Sequence, residues 1–324
     1  MKSSAADHRS LAASAIDLAD QTYFLSPEDV HPPPRLVNSI REYGILHPPL
    51  VQQKSAGRFI IVAGRKRLIT AVTLLHWDSV PCIVVPADWP ALRLHSYLLE
   101  ESLAGSPLSL VEQSAFFASL RKTCPVEDIL PLLEKLGHKP NKHQLDELLG
   151  LRKLAPAAQL ALHRGILNYT SGRKLLRLSQ ADQETLVAMI TRFQLSGSKQ
   201  QKLIDQGTEL LRRGQKDLKD ITTPFLERME MSRQENIPQQ AAALLDWLHE
   251  QCFPRSVLAE SEFSRRVAQL NLPSTMRIEH SPFFEEDSVT LALTFAGWDS
   301  LRKSLPAIHH ILAASDSAKT SRTR

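Results

Sequence analysis

The stretch IIVAGRKRLITAV, residues 60–72, changes its pattern at a single glycine. Before Gly64 the residues are apolar, as in a buried strand, and after it apolar residues recur at helical spacing. Three cations, Arg65, Lys66 and Arg67, stand at this junction. A strand-to-helix turn exposes unpaired N–H groups and the positive end of the helix dipole, and both favour anions. The stretch therefore predicts a phosphate site, with a merely solvated helix start as the alternative.

The segments around this turn predict a mixed α/β domain over residues 21–100, preceded by a disordered leader at residues 1–20. Gly44 is expected to end the first helix. The predicted elements are helices at RLVNSIREYGIL and GRKRLITAVTLLHW and strands at PPLVQQ, RFIIVA and SVPCIVV.

The rest of the chain predicts a helical domain and then a second α/β domain. Residues 101–213 have helical spacing almost throughout, so we expect an all-α domain there. Residues 214–236 are polar and charged, as in a linker helix or tether. Residues 237–315 predict helices, the strands MRIEHSP and SVTLALTF, and a closing helix WDSLRKSLPAIHHILA. Residues 316–324 are expected to be disordered, and the fold class is α+β.

Composition excludes several classes of protein. With 324 residues, 43% apolar and 23% charged, the chain is long enough for two or three globular domains. Cys82, Cys124 and Cys252 lie far apart without a CxxC pair, which argues against a disulfide framework or a zinc site. No apolar run approaches the length of a membrane span. We therefore expect a cytoplasmic protein without a membrane partner.

The positive charge is concentrated in one segment. Residues 121–177 carry 11 Lys and Arg against 5 Asp and Glu, although the whole chain has a formal net charge of only +4. A local excess of this kind is typical of a protein that binds a phosphate backbone. The alternative is a helical surface that is simply solvated.

Two helices inside this segment predict a helix-turn-helix, with VEDILPLLEKLG as the first helix and NKHQLDELLGLRKL as the recognition helix. Amide side chains in the first turn of a recognition helix suit adenine edges, and lysine suits guanine or phosphate. The carboxylates of Asp146 and Glu147 oppose contact with the phosphate backbone of DNA. The alternative is that the two helices pack together but bind no DNA. The candidate DNA-binding residues are Asn141, Lys142, His143, Gln144, Arg152, Lys153, Arg173 and Lys174, with Arg177 close by in sequence.

In order and spacing, the segments SIREYGILHPPLV, AGRKR, LLEESLAGSPLSLVEQSAFF and LGHKPNKHQLDELLGLRKLAPAAQLALHRGILNYTSGRKLLRL resemble the ParB family of chromosome and plasmid partition proteins. The resemblance implies a ParB/sulfiredoxin-like N-terminal domain, a helix-turn-helix middle domain and a C-terminal dimerisation domain. It also implies double-stranded DNA, a second copy of the chain and a partition ATPase as partners, and a nucleoid-associated location.

The same resemblance implies that CTP and Mg²⁺ bind at the AGRKR turn. Gly64 and Arg67 stand at the first and last positions of the family's GERR phosphate loop, and Glu101 stands on the glutamate that faces the metal. Arg65 replaces the loop glutamate that hydrolysis uses, so we expect nucleotide binding with at most weak CTPase activity. Ser102 and Gly105 replace an asparagine and an arginine of the family's ENLQR segment. The implied nucleotide-binding residues are Gly64, Arg65, Lys66, Arg67, Glu101 and Ser102, with Glu101 also at the metal.

Two other functions remain open at this point. One is an orphan ParB-like transcriptional regulator that keeps the helix-turn-helix and the dimer but has no nucleotide switch. The other is an enzyme of the sulfiredoxin or free-serine-kinase type, which shares the N-terminal fold. The phosphate loop here contains no cysteine, and Cys82 falls in a predicted strand, so the sequence favours a DNA-binding protein over this enzyme.

Overall fold

A computed structural model of the protein describes residues 6–28, 31–55, 57–105, 107–214, 217–231, 236–273, 275–281 and 288–299, together with Pro306. The chain divides into two compact units, residues 1–241 and 242–324. The expected tail at 316–324 and most of the expected closing helix lie outside the described residues.

The N-terminal part of the first unit is a five-stranded mixed sheet. Its strands, in the order β1-β5-β3-β4-β2, have the bounds β1 (Asp7–Ala12), β2 (Ile16–Asp17), β3 (Leu50–Ser55), β4 (Arg58–Ala63) and β5 (Ser79–Val85). β3 pairs antiparallel with β4 and parallel with β5. β1 pairs antiparallel with β5, and β2 pairs parallel with β4. The three strands predicted from the sequence are confirmed, and they form the centre of the sheet.

The two outer strands correct the prediction of a disordered leader at residues 1–20, which is wrong for residues 7–17. Leu11 pairs with Val80 and Ile16 pairs with Phe59, and the side chains of Leu11 and Ile16 are both buried. These strands are short and mostly exposed, so the leader shows no clear alternation of apolar and polar residues. Their partners are distant in the chain, and pairing with them supplies the order that local sequence does not.

The sheet packs against two short helical segments. Helix α1 (Pro34–Tyr43) begins with proline at its first position and ends at Gly44, whose φ is 74°. Helix α2 (Arg65–Ile69) follows β4 and continues as a π-helical turn, Thr70–Leu74. One apolar core joins the sheet to α2 and its π-helical turn, and burial within it raises the pKa of the Cys82 thiol to about 11. The core residues are Leu11, Ile16, Val51, Phe59, Ile61, Leu68, Ala71, Val80, Cys82 and Val84.

The segment expected to be all-α contains helices and no strand among its described residues. Its helices are α3 (Ala91–Ala104), α4 (Leu110–Leu120), α5 (Val126–Lys135), α6 (Lys142–Gly150), α7 (Pro156–His163), α8 (Tyr169–Leu175), α9 (Gln180–Arg192) and α10 (Gly197–Arg213). Helix α3 runs across the boundary expected at residues 100/101, so that boundary is not a break in the structure. The two helices predicted as a helix-turn-helix are present as α5 and α6, and their use in DNA binding stays a prediction.

Part of the expected linker at residues 214–236 is instead a packed helix, α11 (Leu218–Met231). Leu218 and Thr222 are buried, and the backbone N–H of Leu218 donates to Asp182 Oδ1 on α9 at 3.1 Å. A tether is therefore the wrong description of residues 218–231. The linker helix, one of the two predicted alternatives, is confirmed for these residues, but its packing against α9 was not predicted, because the segment is mostly polar and charged.

Helix α12 (Ile237–Cys252) crosses the boundary between the two units, and helix α13 (Pro254–Gln269) lies within the second unit. The two predicted strands are confirmed as β6 (Met276–His280) and β7 (Val289–Leu293), an antiparallel pair. Among the described helices, none combines the length and the apolar character needed to cross a bilayer.

Candidate functional site

The AGRKR turn is built around a glycine that the local packing requires. Gly64 has a φ of 86°, a left-handed conformation that side chains disfavour. A Cβ atom at this position would lie 2.7 Å from Pro49 Cβ and 3.0 Å from Pro49 Cα. Glycine is thus explained by the close approach of the turn to Pro49 and by the positive φ.

Arg67 and Glu101 are in direct contact although they are 34 residues apart in sequence. The guanidinium of Arg67 donates to Glu101 Oε1, and its other terminal nitrogen donates to the carbonyl of His47 at 2.5 Å. Both side chains of the ion pair are partly exposed, 20% for Arg67 and 33% for Glu101. The fold therefore brings together the cation and the carboxylate that the sequence placed on opposite sides of one site.

Arg65 has different partners. Its guanidinium donates to the carbonyls of Leu18, at 2.7 Å, and Asp20, and it lies 5.0 Å above the ring of Phe24. Burial lowers the pKa of Arg65, although the charge of Asp20 opposes that change. Arg65 therefore holds the segment after β2 in place by hydrogen bonds, and none of its described hydrogen bonds is to Glu101.

Lys66 and Ser102, the two remaining candidate nucleotide-binding residues, differ in whether their side chains already have a partner. Lys66 is exposed and holds no ion pair among the described residues. The hydroxyl of Ser102 donates to the carbonyl of Leu98 at 2.8 Å, within its own helix. Lys66 is thus free to meet an anion, whereas Ser102 already has a backbone partner.

The charges of Arg67 and Glu101 match the two parts of a magnesium-bound triphosphate, the anionic phosphates and the metal cation. Arg67 and Glu101 provide one cation and one carboxylate side by side, at partly exposed positions. Mg²⁺ is commonly held by one or two carboxylates together with the phosphates of its substrate. Among the described residues, no cluster of three or more His, Cys, Asp or Glu side chains is placed to hold a metal alone. A metal at Glu101 would therefore need to share its coordination with the nucleotide.

The candidate DNA-binding residues begin at the N-terminus of α6. Asn141 caps this helix, because its side chain accepts a hydrogen bond from the backbone N–H of Gln144 at 2.8 Å. Lys142 and His143 are exposed in the first turn. Asn141 is thus partly committed to the helix, while Lys142 and His143 project into solvent.

Side-chain contacts connect helices α6, α8 and α10. Glu147 of α6 contacts Arg173 of α8 at 2.6 Å. Lys174 of α8 contacts both carboxylate oxygens of Asp205 of α10 at 2.7 Å. Near the start of α8, the side chain of Asn168 donates to Gln200 Oε1 at 2.7 Å. The fold thus gathers the candidates on α6, on the 3₁₀ turn Leu151–Lys153 and on α8 into one part of the helical domain.

The charges of this region are partly neutralised from outside it. Four of the 11 cations in residues 121–177 form ion pairs, and three of their four partners lie beyond that segment. The pairs are Lys135–Glu100, Arg164–Glu28, Arg173–Glu147 and Lys174–Asp205. The other seven are exposed and hold no ion pair within the described part of the chain: Arg121, Lys122, Lys139, Lys142, Arg152, Lys153 and Arg177.

Sequence reasoning missed a buried glutamine that fixes the start of α8. Gln200 is 3% exposed, accepts from the backbone N–H and the side chain of Asn168, and donates to the carbonyls of Ile166 and Leu195. The position of Gln200 in the helical repeat of α10 could have indicated that it is buried. Gln200 occupies the same helical face as Leu203 and Ile204, so a polar residue there is expected to be buried and bonded.

A buried histidine joins the helix that carries Glu101 to the next one. His95 of α3 is 3% exposed, with Nδ1 2.8 Å from the carbonyl of Ala91 and Nε2 3.0 Å from the hydroxyl of Ser119 on α4. Burial lowers the pKa of His95, which keeps the ring neutral. A neutral ring that donates from Nδ1 accepts at Nε2, so Ser119 donates to it. This contact ties α3 firmly to the helical domain.

Comparison with known proteins identifies one matching family. Residues 21–101 match the ParB N-terminal domain. The matched region contains the AGRKR turn and Glu101, and it begins after β1 and β2.

Two curated relatives match the chain over about half its length. A nucleoid occlusion protein of Halalkalibacterium halodurans is 29% identical over 152 residues, which are 46% of this chain and 50% of that protein. A probable chromosome-partitioning protein ParB of Campylobacter jejuni is 27% identical over 169 residues, 52% of this chain and 58% of that protein. The chain therefore spans only about half the length of the curated relatives it matches.

Two solved structures of C-terminally truncated ParB from Caulobacter crescentus are also similar. One is complexed with CTP-γ-S and aligns with 57% of this chain and 99% of its own, at 22% identity and a TM-score of 0.24. The other is complexed to the centromeric parS site and aligns with 61% of this chain and 98% of its own, at 19% identity and a TM-score of 0.34. At these scores the alignments transfer no residue roles to this chain.

Proposed function

We propose that this chain, whose residues 21–101 match the ParB N-terminal domain, is a DNA-binding protein of chromosome or plasmid partition whose N-terminal domain binds a nucleotide. The observation that carries the proposal is the group of unpaired, exposed cations on and around α6, the 3₁₀ turn and α8. A nucleoid-associated location in the cytoplasm and an interaction with a partition ATPase form part of the same proposal.

The proposed DNA surface has two kinds of contact. Lys142 and His143 lie in the first turn of α6, the place from which a recognition helix reaches base edges. Arg152, Lys153 and Arg177 are exposed cations without ion pairs among the described residues, which suits them to phosphates. Phosphate contacts position a protein on the duplex, and base contacts give it sequence preference.

Binding to duplex DNA is expected to depend steeply on salt. If about six of the unpaired cations each neutralise one phosphate, the slope of log K against log salt should be about −5. Fluorescence anisotropy with a labelled random-sequence duplex over a range of NaCl concentrations measures this slope. The double change Lys142→Ala, Arg152→Ala should reduce its magnitude by about 2, since each phosphate contact contributes about 0.9.

The control for this experiment is Lys219→Ala, an exposed lysine on α11, outside the basic segment. It should leave the slope unchanged. A wild-type slope close to zero, or equal effects of the control and the double change, would refute the proposed surface.

The proposed nucleotide ligand is CTP with Mg²⁺, bound where Arg67 meets Glu101. The ligand supplies an anionic triphosphate and a metal cation together. Arg67 would exchange its carboxylate partner for phosphate oxygens, and Glu101 would exchange its guanidinium partner for the metal, so neither side chain is left without an opposite charge. Lys66, which is exposed, adds a further cation beside the phosphates. We propose binding without efficient hydrolysis, because Arg65 occupies the position of the loop glutamate and is held by backbone carbonyls.

One structural observation favours a second function, an orphan ParB-like regulator without a nucleotide switch. The Arg67–Glu101 ion pair is satisfied without any ligand, and Arg65 has its own partners. Equilibrium binding of labelled CTP, ATP and GTP, with and without DNA, distinguishes the two functions. CTP binding that requires Mg²⁺ supports the first, and DNA binding without any nucleotide binding supports the second.

We also propose that the chain forms a homodimer through its C-terminal unit. An isolated two-stranded sheet is marginally stable in water. One face of the β6–β7 pair carries Met276, Ile278, His280, Val289, Leu291 and Leu293. Contacts within the chain already cover part of this face, since Met276 is buried and the ring of His280 packs against that of Phe263 on α13, whereas Val289 is 67% exposed and Leu291 36%. Covering the exposed part with the same part of a second copy would bury apolar surface that one copy leaves in water.

Sedimentation equilibrium of the full chain at tens of micromolar is therefore expected to give the mass of a dimer. Val289→Asp should shift the chain towards monomer, because it places a charge on the apolar face. Thr290→Asp is the matched control, since this neighbouring residue points to the other face of the pair. A monomeric wild-type chain, or equal effects of the two changes, would contradict the proposed dimer.

A further inference from the structure

One carboxylate of α6 lies among the candidate DNA-binding residues. Glu147 Oε1 is 2.6 Å from Arg173 Nη2 on α8 and 3.5 Å from His143 Nε2, one turn earlier in α6. The side chain of Glu147 is only 17% exposed, whereas that of Arg173 is 51% exposed. The guanidinium of Arg173 also lies 5.8 Å from the ring of Tyr169. Glu147 is therefore a nearly buried charge whose nearest cation is half in solvent.

We propose that Glu147 is a specificity-determining residue of the DNA-binding surface, because it holds Arg173 as an internal counter-ion and so withholds it from a bare phosphate. This inference rests on the proposed binding of double-stranded DNA. Glu147 would help the protein to discriminate between DNA sequences, and Arg173 would contact DNA only at a favoured sequence.

The physical reason lies in how proteins bind DNA without regard to sequence. That binding is driven by cations of the protein that replace ions condensed on the phosphates. Arg173 is already neutralised by Glu147, so moving it to a phosphate would leave the mostly buried carboxylate of Glu147 without its nearest cation and close to the negative DNA backbone, with only the exposed His143 within 3.5 Å. A random duplex offers only the phosphate in return.

A favoured site offers more than a phosphate, because base edges add hydrogen bonds that a random sequence does not. These contacts offset the loss of the ion pair, so Glu147 weakens binding to random DNA more than binding to a favoured site. Discrimination of this kind arises from an unfavourable interaction with the wrong partner.

The test uses Glu147→Gln, which keeps the shape of the side chain and removes its charge. Affinity for a random-sequence duplex at 0.1 M NaCl is expected to rise by about eightfold, and the salt slope to become steeper by about 0.9, as for one added phosphate contact. The ratio of affinities between duplexes enriched from a random pool by the wild-type protein and the random duplex itself should fall. Fluorescence anisotropy measures each of these quantities.

The matched control is Asp146→Asn. Asp146 is the preceding residue on α6, is exposed and holds no ion pair among the described residues, so this change removes the same charge without releasing Arg173. If Asp146→Asn raises random-duplex affinity as much as Glu147→Gln, the effect is one of net charge and the inference is overturned. Thermal melts followed by circular dichroism check that each variant is folded.

A second variant keeps the inference testable if Glu147→Gln is poorly folded. The pair Glu147→Gln, Arg173→Gln leaves the net charge unchanged and should leave the random-duplex slope unchanged, because Arg173 makes no phosphate contact there. A slope reduced by about 0.9 would show that Arg173 binds phosphate in the wild type and would overturn the inference. A wild-type protein that binds no duplex at any salt concentration would instead refute the proposed function itself.

Discussion

Replacing Arg67 with alanine is expected to weaken the binding of magnesium-bound CTP by roughly ten- to a hundredfold, or about 1.5–3 kcal/mol. Arg67 is the cation that contacts Glu101, so it lies where the triphosphate would meet the metal ligand. Charge-assisted hydrogen bonds to phosphate are among the stronger ones, and an alanine makes none. Isothermal titration calorimetry with CTP in excess Mg²⁺ measures the loss.

Two further variants separate this effect from a general loss of charge. Lys66→Ala removes the neighbouring exposed cation and should have a smaller effect than Arg67→Ala. Glu101→Gln should reduce the dependence of CTP binding on Mg²⁺. If Arg67→Ala leaves the affinity for CTP unchanged, the cations of the AGRKR turn are only a solvated helix start. Rapid hydrolysis of CTP would mean that hydrolysis needs no carboxylate at position 65.

The second large effect is expected at Gln200. Gln200→Leu should lower the free energy of unfolding of the first unit by about 2–4 kcal/mol, because it leaves one buried acceptor and two partly buried groups without partners, and an unsatisfied buried group costs about 1–3 kcal/mol. The affected groups are the N–H of Asn168 and the carbonyls of Ile166 and Leu195. Urea unfolding of the full chain, followed by circular dichroism, measures the change.

The matched control is Gln201→Leu, the same substitution at the next position of α10, where the side chain is partly exposed. It should change the free energy of unfolding by less than about 0.5 kcal/mol, as is usual for surface substitutions. Equal stabilities of the two variants would mean that the buried amide contributes little. Because Gln200 also fixes the cap of α8, a destabilised variant should additionally bind DNA less well.

The sequence predicted those parts of the fold that depend on local signals. Gly44 and Gly64 both have positive φ, so the ends of α1 and β4 could be read from the glycines alone. The central strands showed as apolar runs because the sheet buries them. β1 and β2 were missed and the packing of α11 was not predicted, because each is held by contacts with residues far away in the chain.

The prediction of a disordered leader also affected the interpretation of Arg65. The donors of Arg65 are taken by the carbonyls of Leu18 and Asp20, which belong to a segment predicted to be disordered. Because that segment was expected to have no structure, the sequence offered no partner for Arg65 within the chain, and an anion from solution was the partner we expected. The expectation that Glu101 faces the AGRKR turn, in contrast, came from the resemblance in the serial order of motifs, since no local spacing connects residues 34 positions apart; the direct ion pair between Arg67 and Glu101 was not predicted.

The order of the sheet also determines where the N-terminal domain can be cut from the chain. A fragment that starts at residue 21, where the family match starts, would lack β1 and β2 and would leave β5 and β4 as unpaired edges. Unpaired edges of this kind are templates for pairing between molecules and hence for aggregation. The same cut would remove both carbonyls that hold Arg65, and with them the anchor of the loop beside Arg67. A soluble fragment for crystallisation or nucleotide titration should therefore begin before Asp7.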